Sequence, residues 1–405
     1  MTRTVNRCSL ILCGVALITA VASAQEKESD ILKFSGSLYG ESTDNRDSTP
    51  TPESNFDLYV KPRMDVHLVS EHGSTLDFHY APYYRYRSNP SSIENQTELF
   101  HDLGLSVQNQ PNPVTTLQLN EYFYRTEDPS VDANGVELRS DCSYIMNHID
   151  ASANYELSDR ITSVNLAGRS TVKRYDDTTV AQESDEDNSG VTLTGWHQIQ
   201  RTLALMGVLD VAEYGYDSSL GIDRDFNAIS AGAGVEKNVN KNLKVNLRAG
   251  LIAATYKDKS LSSESQPFVS LNLNGQSTPA ARIDATLSYM IRDADVYPFS
   301  SQECAQFYTK MAWDCTELLT LELYGTYRNG QYKSDSLDAA GLAYQEATGF
   351  KTSGSEKTLL FGGDISYKMG LTTSVMLAQS YEHVDSDVCA GFTRNATSLL
   401  ITEQF

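Results

Sequence analysis

FDLYVKPRMDVHLV, residues 56–69, alternates with a period of two: Phe56, Leu58, Val60, Met64, Val66 and Leu68 against Asp57, Tyr59, Lys61, Arg63, Asp65 and His67. A helix with 3.6 residues per turn would scatter these charges around its circumference, whereas a strand sorts them onto one face. The next stretch, residues 75–88, repeats the pattern, with Leu76, Phe78, Tyr80, Tyr84 and Tyr86 against Asp77, His79, Arg85 and Arg87. Glu71-His72-Gly73 between them is a short polar turn. If Val69 pairs with Thr75, Asp57 faces Arg87, Asp65 faces His79 and His67 faces Asp77, while Val66 meets Phe78 and Leu68 meets Leu76. Opposite charges across a ladder contribute about 0.2–1 kcal/mol each. A slip of one residue would turn every charge to the apolar side, and an arginine facing lipid at mid-depth costs about 2–4 kcal/mol. Lipid therefore fixes the register and the ion pairs refine it.

Working outward, the same alternation predicts strands near 31–41, 55–69, 75–88, 99–109, 113–126, 143–157, 160–174, 188–199 and 202–216. It continues at 225–238, 241–257, 266–275, 279–292, 302–314, 317–332, 357–369, 372–385 and 393–405. Most exceed the ~9–11 residues that a tilted strand needs to cross hydrocarbon. Short turns alternate with longer polar loops, so the two ends of the meander face different compartments. The expectation is an all-β fold: a transmembrane antiparallel up-and-down barrel of about eighteen strands, residues 25–405, with both termini on the short-turn, periplasmic side.

The N-terminus supplies the address. Arg3 and Arg7, the apolar Leu10–Val21 and the small residues Ala22-Ser23-Ala24 read as a signal peptide over residues 1–24. Leu12 before Cys13 departs from a lipoprotein signal. The mean hydropathy of −0.37 does not argue against a membrane, because a spanning strand shows lipid only every second residue. The formal charge of −21 excludes nucleic acid as a natural partner. At the other end, Phe405 follows Leu399 and Ile401 on one strand face and resembles the signal that outer-membrane barrels present to their assembly machinery, Glu403 being the departure from it.

Two positions strain the pattern. Glu121 shares a face with Leu117, Leu119 and Phe123, and Pro62 and Pro82 fall inside strands and face each other. A local bulge is the expectation at the prolines, and at Glu121 either a bulge or a lipid face that starts elsewhere in the strand.

Residues 56–129 resemble the β-barrel porin-2 family, on the stretches Tyr59-Val60-Lys61-Pro62, Tyr83-Tyr84-Arg85-Tyr86-Arg87 and Tyr122-Phe123-Tyr124-Arg125-Thr126-Glu127. The resemblance implies a diffusion channel for small hydrophilic solutes in the outer membrane of a Gram-negative-type bacterium, and names no solute. A conduit for an exported polysaccharide and a surface barrel with a closed lumen are the alternatives. Lipid, lipopolysaccharide and the barrel-assembly machinery are the partners such a chain meets.

The candidate pore-lining residues are the charges on the polar face: Lys61, Arg63, His79, Arg85, Arg87, Lys244, Arg248, Arg282, Asp284, Lys310, Arg328 and Asp364. They are either a basic wall that favours anions or the solvated, cross-strand-paired lining of any wet interior. Tyr84, Tyr86, Tyr122 and Tyr124 fall at strand ends, where a headgroup girdle accounts for those that face outward; Tyr59 and Tyr83 fall on the polar face. In the longest loop, 333–356, Leu337–Tyr344 predicts a short helix that folds inward to narrow the pore or lies over its rim. The acidic run Glu183–Asp187 is a loop tip or a divalent-ion contact. No spacing marks a nucleophile and base, so no enzyme is expected, and no cofactor or metal ligand set is recognised. Cys142, Cys304 and Cys389 are expected toward the long loops and Cys315 near the short turns; eleven residues of strand, roughly 36 Å, keep Cys304 and Cys315 from bonding.

Overall fold

The computed structural model describes residues 31–405 apart from 47, 49, 71–72, 91–94, 127–129, 133–134, 138–142, 160, 218 and 295. The signal-peptide reading and Cys142 therefore lie outside the described residues. In chain order the strands are β1 (Leu32–Thr43), β2 (Asn55–Val69), β3 (Thr75–Tyr80), β4 (Tyr83–Arg87), β5 (Thr97–Asn112), β6 (Thr115–Thr126), β7 (Ser130–Asp132), β8 (Gly135–Glu137), β9 (Tyr144–Glu156) and β10 (Thr162–Tyr175). They continue as β11 (Glu186–Gln200), β12 (Leu203–Tyr216), β13 (Phe226–Asn238), β14 (Leu243–Tyr256), β15 (Glu264–Thr278), β16 (Ala281–Asp293) and β17 (Ser301–Asp314). The last are β18 (Leu319–Tyr332), β19 (Gly354–Lys368), β20 (Thr373–Ser386) and β21 (Phe392–Gln404). β3 and β4 form one interrupted strand and β7–β8 is a separate hairpin, which leaves a closed antiparallel wall of eighteen strands. Every spanning strand foreseen from the alternation is present.

Closure is made by β1, which pairs with β2 from Leu32↔Val66 to Thr43↔Asn55 and with β21 from Ser35↔Gln404 to Thr43↔Ala396. Phe405 N–H adds a bond of 2.9 Å to the Phe34 carbonyl across this seam. Among the described residues every wall strand pairs with a neighbour on each side, as hydrocarbon requires, since it offers no partner to an open edge.

The first hairpin has the register expected of it: Val69↔Thr75, His67↔Asp77, Asp65↔His79 and Asp57↔Arg87. The apolar set points outward, with Phe56, Val60, Leu251, Leu323, Phe361, Leu377, Leu399 and Ile401 all among the exposed side chains. The bulge expected at Pro62 and Pro82 is absent. Met64↔Tyr80 and Val60↔Tyr84 keep one register on both sides of the break, so no residue is inserted. Pro82 brings no N–H, and Ala81 N–H bonds instead to the Asp102 carbonyl on β5 at 2.8 Å. Nor does β6 bulge at Glu121: its pairing with β9 is continuous from Thr115↔Tyr155 to Thr126↔Tyr144. Glu121 stays on the outer face opposite Leu105 and Ile149, where Asn147 Nδ2 donates to its carboxylate at 3.3 Å.

Three helical pieces sit among the long loops: α1 (Thr178–Ser184), the 3₁₀ turn η1 (Ser334–Ser336) and α2 (Ala339–Thr348). α2 is the helix expected in the longest loop. Asp338 caps it by accepting from Gly341 N–H at 2.6 Å, and Gly349, at φ 78°, ends it in the left-handed conformation. α1 falls in a stretch expected to be loop, as does the β7–β8 hairpin.

The lumen as candidate solute pathway

Inside the wall lies a cavity of about 980 Å³. Most polar side chains of its strands are there because the alternation places them on the face away from lipid. The twelve candidate residues all fall on the lumen side of their strands, but they divide into two groups by depth.

Toward the short turns the charges are met by partners. Arg63 bonds Asp65 at 2.7 Å, Lys244 bonds Glu236 at 3.1 Å, Arg282 bonds Asp314 at 3.2 Å and Lys310 bonds Glu322 at 2.7 Å. Asp284 pairs in the ladder with Lys310, and Asp364 with Glu322, Ser366 Oγ donating to the Asp364 carboxylate at 3.2 Å. His79 Nε2 lies 3.0 Å from Asp102 Oδ1. These pairs are wet, and exposed pairs of this kind hold little energy.

From mid-depth toward the long loops the cations are half-buried or buried. Lys61 Nζ lies over the rings of Tyr39, Tyr59 and Tyr83, 4.5 Å from the last centroid. Arg85 stacks on Tyr59 and, at 4.6 Å, on Phe100. Arg87 is buried and donates to the Asn95 carbonyl at 3.0 Å. Arg328 meets Glu356 at 3.1 Å with side-chain exposures of 5 and 1 %. Arg248 borders the cavity, and its Nε has no hydrogen-bond partner among the described residues. A ring face accepts a cation in place of water, which is how Lys61 and Arg85 are met.

Several functional residues fall outside the sequence-based set. Arg169 forms a two-pronged pair with Asp210, at 2.6 and 3.1 Å, and Lys173 lies over Tyr144 and Tyr175. Arg292 donates to Gln306 at 3.0 Å. Arg169, Lys173 and Arg292 sit at lumen positions of the alternation, and the pattern alone could have found them. Arg224 could not be found that way, because it lies in a loop. Tyr122 and Tyr124 also border the cavity, which corrects any outward girdle role for them; Tyr84 and Tyr86 do face out.

The long loops close over this end. The Arg224 guanidinium donates to three carbonyls, of Phe299 at 2.8 Å, Ala294 at 2.8 Å and Glu183 at 2.7 Å, and stacks on Tyr216 at 4.1 Å. Val296 and Phe299 pack with Leu337 and Val388. α2 is tied on above through Asp338, which accepts from Asp223 N–H at 3.0 Å, and Gln345, which donates to the Val388 carbonyl at 2.7 Å. Tyr344 donates to Glu183 at 3.3 Å, while burial raises that carboxyl above its ordinary 4.5. Arg224, Ala294 and Tyr297 border the cavity, with α2 behind them; the loop that lines it here is the β16–β17 connection and not the longest loop. Cys304 is buried near this end of β17, Cys389 lies in the loop after β20, and Cys315 lies at the opposite end in the β17–β18 turn.

Residues 31–405 match the model of the family described as "Putative beta-barrel porin 2". The chain belongs to this family. It is a porin-like β-barrel of the outer membrane, and its family points to a channel. No curated protein matches the sequence. Among solved structures, the outer membrane protein OpdK of Pseudomonas aeruginosa is 9 % identical at a TM-score of 0.47, covering 92 % of this chain and 98 % of that one. OprD of the same organism is 9 % identical at 0.46, covering 95 and 97 %. OccAB3 of Acinetobacter baumannii is 11 % identical at 0.45, covering 92 and 99 %.

Proposed function

We propose that this family member passes small hydrophilic anions in preference to cations. The observation that carries the reading is the cavity lining itself. Lys61, Arg169, Arg224, Arg248, Arg292 and Arg328 border it against Asp102, Glu186, Asp210 and Asp293, in a chain whose formal charge is −21. Bases thus outnumber acids along the cavity although the chain as a whole is acidic, and a low-dielectric wall strengthens the field of that excess. Lys61, Arg85, Arg87, Arg248 and Arg328 are the residues assigned to this selectivity; Arg63, Lys244, Arg282 and Lys310, with Asp284 and Asp364, line the wet half.

In this reading residues 1–24 direct export and are removed. The short turns and both termini face the periplasm, and Leu399, Ile401 and Phe405 are offered to the assembly machinery. The long loops face outward among lipopolysaccharide. Reconstitution into planar bilayers under a salt gradient tests the selectivity: a reversal potential on the anion side is expected, and one on the cation side would overturn it. The packed loop cap favours, as a second reading, a lumen that is closed at rest, for which the same experiment gives silence between rare openings.

A further inference from the structure

The β16–β17 hairpin leaves the wall at its long-loop end. The β15–β16 ladder runs from Thr278↔Ala281 to Val269↔Tyr289 and stops there. Yet β15 continues to Glu264 against β14, and β16 continues to Asp293 against β17. Successive residues of a wall strand alternate between lumen and lipid, but Met290, Ile291, Arg292, Asp293 and Ala294 all border the cavity. A consecutive run of this kind requires the backbone itself to have turned inward. Ile291 occupies an outward position in the alternation and is nevertheless 3 % exposed, packed with Phe268, Ile252 and Phe226 of the three strands β15, β14 and β13. Ser301 at the base of the tip bonds Tyr256 Oη of β14 at 2.6 Å, which spans the same gap. The seam behind the tip is filled by side chains, Tyr289 Oη donating to Gln266 at 3.0 Å.

We propose that the tip, residues 290–294 and 296–301, is a gate with two positions; this rests on the reading of the lumen as the conducting path and adds the element that controls it. In the position described above the tip leans into the lumen. Arg224 holds it there by its bonds to the Phe299 and Ala294 carbonyls, and Ile291 holds it by burial. In the other position the tip returns to the wall and the ladder lengthens in its existing register, bringing Met290 opposite Phe268, Arg292 opposite Gln266 and Asp293 opposite Ser265. Main-chain groups of β15 and β16 then satisfy one another, which offsets the apolar contacts given up. Pro267 lies in the segment that must zip and supplies no N–H, so the extended ladder is one donor short and does not win outright. The tip also gives up the packing of Val296 and Phe299 on Leu337 and Val388. Two discrete packings of one hairpin are the kind of bistable element on which channel gating runs.

The test is bilayer conductance of the full-length barrel carrying S265C and D293C, which can bridge only when the tip is in the wall. The oxidised protein is expected to conduct at least twofold more than the same protein after dithiothreitol, with the parent chain indifferent to both treatments. R224Q, which removes the latch without adding a bridge, is expected to raise the open fraction several-fold. A bridge that forms without changing conductance, or a bridge that never forms even when R224Q is added, overturns the gate while leaving the channel intact. A parent and variants that all fail to conduct in either polarity overturn the channel reading, and the gate with it.

Discussion

The hairpin made by β2 with β3 and β4 and the hairpin made by β16 with β17 begin from the same rule and end differently. In the first, alternation holds from Val69↔Thr75 to Asp57↔Arg87, even across the gap at Ala81–Pro82. In the second it holds from Ala281↔Trp313 upward, until Ile291 turns away from the lipid side. The difference lies in what the outer face meets. Within the hydrocarbon, lipid rejects charge and the register has one solution. Above it, water accepts either face, and the chain goes where side-chain packing and hydrogen bonds to loop carbonyls take it. One hairpin is held by its solvent, the other by its neighbours.

The largest expected effect breaks the side of the comparison held by neighbours. Arg328→Ala removes the guanidinium from Glu356, whose side chain is 1 % exposed. Stranding one member of a buried pair costs about 3–5 kcal/mol. Urea unfolding in detergent micelles should show that loss, and replacing both partners, Arg328→Met with Glu356→Gln, should recover most of it. If the single variant unfolds like the parent, the buried charges do not hold this end.

The side held by lipid is probed by Val60→Arg. Val60 lies on the outer face of β2 and is 49 % exposed in the absence of lipid. An arginine there should cost about 2–4 kcal/mol of unfolding free energy in lipid vesicles. The cost should shrink when the barrel is unfolded from a short-chain detergent, which tolerates a charge better. Equal losses in the two solvents would remove lipid as the cause of the register.

These two experiments also mark where the sequence is legible. Alternation needs only one neighbour, the lipid, so all eighteen spanning strands, the first hairpin's register and the lumen side of Lys61 to Asp364 could be read without a partner in view. Arg224 could not, since its role comes from carbonyls of residues 183, 294 and 299, far away in the chain. The same holds for the inward element. The length and helical pattern of 333–356 left folding inward or lying over the rim open, and it is the shorter β16–β17 connection that lines the lumen, because Ile291 finds an apolar seat on β13–β15. Tyr122 and Tyr124 were legible in principle: Glu121 and Phe123 are the outward residues of β6, and the tyrosines occupy the alternate positions. Glu121 obscured this, because a carboxylate on the lipid face reads as an error in phase. The strand keeps its phase, and Asn147 answers the carboxylate instead.

A smaller effect is expected from the wet half of the lumen. Arg282 and Asp314, 3.2 Å apart, keep side-chain exposures of 53 and 40 %. Arg282→Gln should change unfolding by no more than about 1 kcal/mol, the range of exposed pairs. Under a salt gradient it should move the reversal potential slightly toward cations, and Arg248→Gln should move it further. A reversed order would place the selecting charges at the short-turn end.

The smallest effect is local and depends on pH. The ammonium of Lys351, 2.6 Å away, and then the Ser355 N–H hold the Asp387 carboxyl down to about 2, against an ordinary 3.8. A carboxyl whose pKa is lowered by folding contributes stability that is present above its unfolded value and lost as pH falls through the folded one. The contact between residues 351–355 and Asp387 should therefore hold down to about pH 4 and come apart between there and pH 2, while the wall stays intact. Amide exchange in residues 350–355 and 387–390 should accelerate over that window, with the strands unaffected. Asp387→Asn should exchange at the faster rate at neutral pH and lose the dependence on acid. If exchange in the wall accelerates together with the loops, the loop cap and the barrel are one cooperative unit, and the division between a lipid-held wall and a neighbour-held end is wrong.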